Sequence, residues 1–336
     1  MMSASAARDH APAPFTPEEV AVLVRAATAA PSIHNSQPWL FRDEPDRIEL
    51  WLDARRPLAV ADPAAREQVI SCGAALYNLR LAMGHLRHEP LVTLLPNPDD
   101  LTHLATVGRG PRRGTSALEA RLYAAVYRRR SHRRPFGPEP VPRALLDELA
   151  EAAAWEGAWA HQVETPDDRV ALVDLAAGAA HWLLSDPGYR GELARWTRTG
   201  TNGRDGVRLE ALGSEQYPVS GLPWALMADP EIAVGELERH PMLVLGTDRD
   251  GRADWLHAGQ ALQRVLLTAT ARGLAASLFT QVLEVPATRS TLRRRLRLPG
   301  IPQLVLRLGY PLSGVPASAR RALDTVFVPH PDQPAL

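Results

Sequence analysis

The chain has 336 residues, 45% of them hydrophobic, enough for two ordinary domains with a sizeable core. Its 38 basic and 38 acidic residues cancel, so no net field draws the molecule to nucleic acid or to an anionic membrane, and any cationic function must be local. A single cysteine, Cys72, excludes an internal disulfide and a cysteine-only metal site, and no apolar run reaches the ~18 residues of a membrane span, so a soluble, cytoplasmic protein is expected.

Residues 1–14, rich in Ala, Ser and Pro, are expected to form a disordered tail. An apolar stripe predicts a helix over 17–29. It runs into Ala30-Pro31-Ser32-Ile33-His34-Asn35-Ser36-Gln37-Pro38-Trp39, where two prolines restrict the backbone and the short polar residues between them can hydrogen-bond the edge of a planar ring. The same residues also suit an ordinary turn anchored by a buried Trp39. Strands are expected at 39–42 and 48–52, a helix over 63–88, and a strand at 91–95. Cys72 falls in that helix and reads as a small buried hydrophobe, not a nucleophile. Residues 96–115, rich in Pro, Gly, Asp and Arg, read as a linker.

A helix over 116–127 leads into Arg128-Arg129-Arg130-Ser131-His132-Arg133-Arg134. Guanidinium forks beside a serine hydroxyl suit a phosphate monoester. A solvated basic patch is the alternative; a nucleic-acid contact is not expected, since no stacking aromatics interleave the cluster. Helices follow at 142–154 and 166–184. The stretch 186–230, with Trp196, Tyr217 and Trp224 and little periodicity, reads as a lid. Strands at 242–246, 277–280 and 303–308 alternate with helices at 253–272 and 287–296, giving an α+β fold with a sheet core faced by long helices. No glycine-rich phosphate loop is present, and the histidines show no metal-ligand spacing, so no metal is expected.

Two segments repeat. Gly73-Ala74-Ala75-Leu76 is matched by Gly259-Gln260-Ala261-Leu262, and the helix pattern at 20–30 by that at 141–152, which together read as a diverged internal repeat. The loop, Ala-Pro-Ser followed by Asn35 and Gln37-Pro38-Trp39, resembles the flavin-ring loop of the FMN-dependent nitroreductase family. The Arg-x-Ser-x-Arg pattern at Arg129, Ser131 and Arg133 resembles that family's phosphate clamp. In the family the clamp precedes the loop; here the order is reversed. The resemblance, which spans about 15–327 and is nearest to the Acg-type branch, therefore implies two diverged nitroreductase-like copies fused into an intramolecular pseudo-dimer. The first, 15–115, keeps the loop; the second, 116–329, keeps the clamp, and one composite site serves the chain as a monomer or a homodimer.

The resemblance implies an oxidoreductase with FMN as cofactor, NAD(P)H as electron donor and a small-molecule acceptor, nitroaromatic or quinone-like, reduced by hydride transfer at flavin N5 without a catalytic side chain. It places Pro31, Ser32, Ile33 and Asn35 at the ring, Arg129, Arg130 and Ser131 at the phosphate and ribityl end, and Arg133 at the ring edge that turns negative on reduction. Leu278, Phe279, Thr280 and Gln281 follow a helix-to-strand passage expected to lie against the ring. Arg320 and Arg321, beyond Leu308-Gly309-Tyr310-Pro311, are expected to complete the phosphate site. A flavin-binding or storage protein without turnover would use the same residues.

Overall fold

The computed structural model describes residues 14–198, 203–208 and 240–330. Helix α1 (Pro17–Thr28) begins as its sequence dictates: Thr16 and Glu19 cap each other's backbone N–H, Pro17 sets the first turn, and Val20, Leu23, Val24 and Ala27 face the core. Beyond the loop, β1 (Trp39–Glu44) and β2 (Arg47–Leu52) form a hairpin that pairs Trp39 with Leu52 and Phe41 with Leu50. Helix α2 (Arg66–His85), β3 (His88–Leu94) and β4 (His103–Arg112) follow. The first sheet runs β1, β2, β4, β3, and the strand Phe327–Val328 joins its β1 edge in parallel, Phe41 opposite Phe327.

The chain continues through α3 (Ala117–Val126), α4 (Arg143–Ala154), β5 (Trp159–Val163), α5 (Pro166–Ser185) and α6 (Pro187–Arg195). Two short strands, β6 (Thr197–Arg198) and β7 (Val207–Arg208), pair in parallel. Then come β8 (Met242–Thr247), α7 (Arg252–Ala271), β9 (Ala275–Leu278) and β10 (Ile301–Gly309). The second sheet is antiparallel, in the order β5, β8, β10, β9. Both its faces are covered, which is why β8 reads as a continuous apolar run: Leu243 and Leu245 pack with α4 and α7, while Met242 and Val244 pack with α5.

Helices α2 and α7 cross between the sheets at the repeated glycines. A Cβ on Gly73 would stand 2.4 Å from the Leu256 carbonyl oxygen, and one on Gly259 would stand 2.0 Å from that of Ile70. Only glycine permits so close an approach. Below the crossing, Gln263 donates to Asn78 Oδ1 (2.7 Å), and Asn78 in turn donates to the Ala26 carbonyl at the end of α1 (2.8 Å).

Three expectations require correction. The presumed linker 96–115 contains β4, the central partner of both β2 and β3; Gly108, Gly110 and Pro111 disguise it, and Gly110 is held against the Glu89 carbonyl where a Cβ would approach to 2.6 Å. The strand Phe327–Val328, placed with the second half, completes the first sheet. Strand β5 and helix α6 were not expected. The tail 1–13 lies outside the described residues. Cys72 is buried, its thiol against the Pro38 carbonyl, and burial pushes its pKa up. Among the described residues no helix is long and apolar enough to cross a membrane.

Candidate functional site

Ser116 and Glu119 cap α3 at its start; at its end the Arg128 and Arg129 amides still bond to Ala125, after which the chain becomes extended. Ser131 bridges to Ala276 at the edge of β9, and the His132 N–H donates to the Ala276 carbonyl at 2.9 Å. The arginine cluster is thereby laid across the second sheet's edge, over a cavity of about 390 Å³. Five guanidinium groups, Arg129, Arg130, Arg133, Arg208 and Arg320, line this cavity, and among the described residues no carboxylate does. Arg129 is buried, and its Nε has no hydrogen-bond partner. Burial, with the charges of Arg320, Arg130 and Arg133, brings Arg129 down to about 9; burial and Arg130 bring Arg320 down to about 10. Buried cations that lower one another, with no carboxylate lining the cavity among the described residues, suit an anion seat.

The loop between α1 and β1 rises beside this seat. His34, Asn35 and Gln37 all take left-handed φ angles of 48°, 53° and 51°, a run of strain that several hydrogen bonds hold in place. Ser71 of α2 accepts from the Ile33 N–H (3.1 Å), and Ser32 Oγ accepts from the Gln37 N–H (3.0 Å). Arg56 donates to the Ser36 carbonyl, pairs with Asp205 and lies over the Trp196 ring. Gln37 donates to the Arg204 carbonyl, and Asn35 to that of Gly206, so residues 203–208 lie against the loop.

Asn35 therefore has a different task from the one expected. Its amide donates to the Gly206 and Ala319 carbonyls and accepts from Arg320 (3.1 Å), so it fastens the loop and is not free for a ring edge. Arg320 also donates to the carbonyls of Thr28, Ala29 and Ala30, closing the end of α1 while its charge adds to the anion seat. Arg321 lies on neither cavity. It is turned the other way, paired with Asp53 and with the Gln37 and Thr325 carbonyls.

A second cavity, of about 160 Å³, opens next to the first and shares Pro31, Ser32, Ser131, Arg133 and Val207 with it. Ile33 and His34 form one part of its wall, and Leu278, Thr280 and Gln281 another. Phe279 is not on this wall; it is buried behind it with Val282 and Val305. The structure adds Glu67, Ser71, Tyr189 and Val207, which no sequence signal marked, and brings His34 of the loop and Trp196 of the expected lid to the same wall. Burial and the neighbouring Arg133 bring His34 down to about 4, so it stands as a neutral imidazole. Burial pushes Glu67 up to about 8, with Glu284 raising it further and Arg66 opposing. Within the lid stretch, the Val207 N–H donates to the Trp196 carbonyl; Tyr217 and Trp224 lie outside the described residues.

The sequence profile of the Nitroreductase family matches residues 126–310. The chain is 35% identical over 316 residues to the Mycobacterium tuberculosis H37Rv protein named "Putative NAD(P)H nitroreductase Rv3131", with 92% of this chain and 91% of the relative covered. It is 30% identical over 321 residues to "Putative NAD(P)H nitroreductase acg" of the same strain, covering 93% and 96%. Among solved structures, the FMN-dependent nitroreductase NfnB from Mycobacterium smegmatis in complex with NADPH aligns at 16% identity and a TM-score of 0.41, over 62% of this chain and 97% of that one.

Proposed function

The chain belongs to the nitroreductase family, and from that premise we propose that it is an FMN-binding, NAD(P)H-dependent oxidoreductase acting on nitroaromatic or quinone-like acceptors. One observation carries the reading: a cavity that among the described residues has five guanidinium groups and no carboxylate adjoins a cavity with largely apolar walls under a strained loop. The donor set fits the cofactor. A phosphate monoester dianion answers both the surplus of buried cations and the orphaned Arg129 Nε, and an apolar wall suits a planar ring.

Bound FMN would supply two-electron transfer between NAD(P)H and the acceptor. Arg129 and Arg130, with the Ser131 hydroxyl, hold the phosphate. Arg133, which reaches both cavities, compensates negative charge at the ring. Pro31, Ser32, Ile33 and neutral His34 support one side of the ring; Leu278, Thr280 and Gln281 support another. Asn35, Arg320 and Arg56 keep the loop in its strained shape, and residues 203–208 with Trp196 limit the access of water.

The loop comes from the first half of the chain and the clamp from the second, and the halves meet where Gly73 and Gly259 cross. Two fused copies sharing one composite site account for that arrangement. The test is direct: purified protein should show a flavin absorption spectrum that bleaches on anaerobic addition of NADPH or NADH and recovers when a quinone or nitroaromatic is added. Colourless protein that takes up no added FMN overturns the proposal.

A further inference from the structure

Among the described residues that line the smaller cavity, Glu67 is the one carboxyl group. It is 4% exposed, on the first turn of α2. Its Oε1 accepts from Arg66 at 2.6 Å; among the described residues its Oε2 accepts from no donor. A second carboxyl, Glu284, stands just behind the same wall and accepts from the cavity residues Thr280 (2.9 Å) and Tyr189 (3.3 Å). Neither carboxyl has a part in holding FMN.

Reduction of a quinone-like acceptor to its hydroquinone takes up two electrons and two protons. NAD(P)H, through the bound flavin, supplies two electrons and one proton; the second proton must reach an oxygen that gains charge inside an apolar cavity, where an unneutralised anion is costly. We propose that Glu67 is the catalytic acid of this cavity, giving its carboxyl proton to the acceptor oxygen. The carboxyl O–H bond breaks, an O–H bond forms on the acceptor, and the carboxylate left behind takes a proton from water. This rests on reading the cavity as the seat of flavin and acceptor.

The other titratable groups on the wall are poorly suited. His34 is held neutral, and the N–H it keeps does not ionise near neutrality; burial pushes Tyr189 up. Arg133 stands at the clamp, shared with the anion seat. Glu67 is faced by Arg66, Glu284, Asp62 and Arg289, two acids set against two bases, and burial tips the balance toward its neutral form at about pH 7.

A polar chain runs from Glu67 to the surface. Arg66 donates to both the carbonyl and the side chain of Gln303, Arg289 donates to Gln303 Oε1 (2.8 Å), and both Gln303 and Arg289 donate to Asp250, on the rim of an open cavity. This chain fixes the Arg66 fork, and through it the Glu67 carboxyl.

The test uses the FMN-loaded full chain. The parent should show protonated-carboxyl C=O bands that titrate between about 6 and 8, from Asp43, Glu284 and Glu67, and Glu67→Gln should remove the one that titrates highest. Glu284→Gln should shift that titration without abolishing it. Re-oxidation of the pre-reduced protein by 1,4-benzoquinone should slow by about 10²-fold in Glu67→Gln and lose its pH dependence, in keeping with the loss of a general acid. FMN affinity should be unchanged. A chain that takes up no FMN overturns the reading of the cavities. A chain that takes up FMN, but whose Glu67→Gln variant keeps the parent's highest-titrating infrared band or its pH profile, overturns the role of Glu67.

Discussion

Replacing Arg129 by Met should stabilise the flavin-free protein and weaken its complex with FMN, two changes of opposite sign from one side chain. Arg129 is 5% exposed, its Nε is unpartnered, and burial together with Arg320, Arg130 and Arg133 disfavours its charged form. The fall from 12.5 to about 9 corresponds to roughly 5 kcal/mol against that form. Water entering the adjoining cavity relieves a share, and about 2 kcal/mol is a reasonable gain for a methionine of similar length. In a chain of this size that raises Tm by a few degrees. In the complex the sign reverses: losing a charge-assisted hydrogen bond to phosphate costs about 2 kcal/mol, roughly thirtyfold in Kd. Calorimetry of stripped protein reads the first change, and quenching of FMN fluorescence reads the second. A variant with a lowered flavin-free Tm and the parent's FMN affinity would refute the reasoning, because the guanidinium would then be a packing element and the anion seat would lie elsewhere.

Gly73→Ala should lower the urea midpoint by about 2 kcal/mol of stability, since its Cβ meets backbone 2.4 Å away and not the yielding end of a side chain; an unchanged midpoint would mean that α2 and α7 do not cross there. Arg320→Lys keeps the charge but loses the fork that serves Thr28, Ala29, Ala30 and Asn35, at a cost of about 1–3 kcal/mol, and should speed proteolysis at the loop. Saturated protein should release one FMN per chain on denaturation, quantified by absorbance against protein; a ratio near two would contradict a single composite site. In flavin-free protein, Glu67 holds a proton that the unfolded chain has released. Its contribution to stability is therefore full below the unfolded value near 4.5 and lost as pH rises towards about 8. Thermal scans across that window should show the decline, and Glu67→Gln should flatten it.

Helices α1, α2 and α7 could be read from the sequence because their signals are local: an apolar stripe and a repeated Gly-x-Ala-Leu step. Strand β4 could not, because the glycines and proline that fit it between its neighbours look like linker residues. The clamp was legible as chemistry, since arginines without acids nearby imply an anion wherever they fold. The tasks of Asn35 and Arg320 were not, because their mutual bond joins residues 285 apart. Arg320 and Arg321 were taken together, yet one serves α1 while the other serves Asp53. Glu67 left no mark at all: one glutamate on a helix becomes chemical only when a cavity opens beside it.

The strand Phe327–Val328 gives the molecule an order of assembly. The sheet begun by Trp39 lacks its edge, and the loop after α1 lacks the Arg320 clasp, until residues 320–328 are available. Contacts that span so much sequence form late, because a long loop must close before they return any free energy. A nascent chain halted before residue 320 would carry an open sheet edge and a loop without its clasp, whereas its arginine cluster would already be made. The anion seat is thereby tied to residues 315–320 and the first sheet's edge to Phe327–Val328, and a product halted before them should be degraded as an incompletely folded chain.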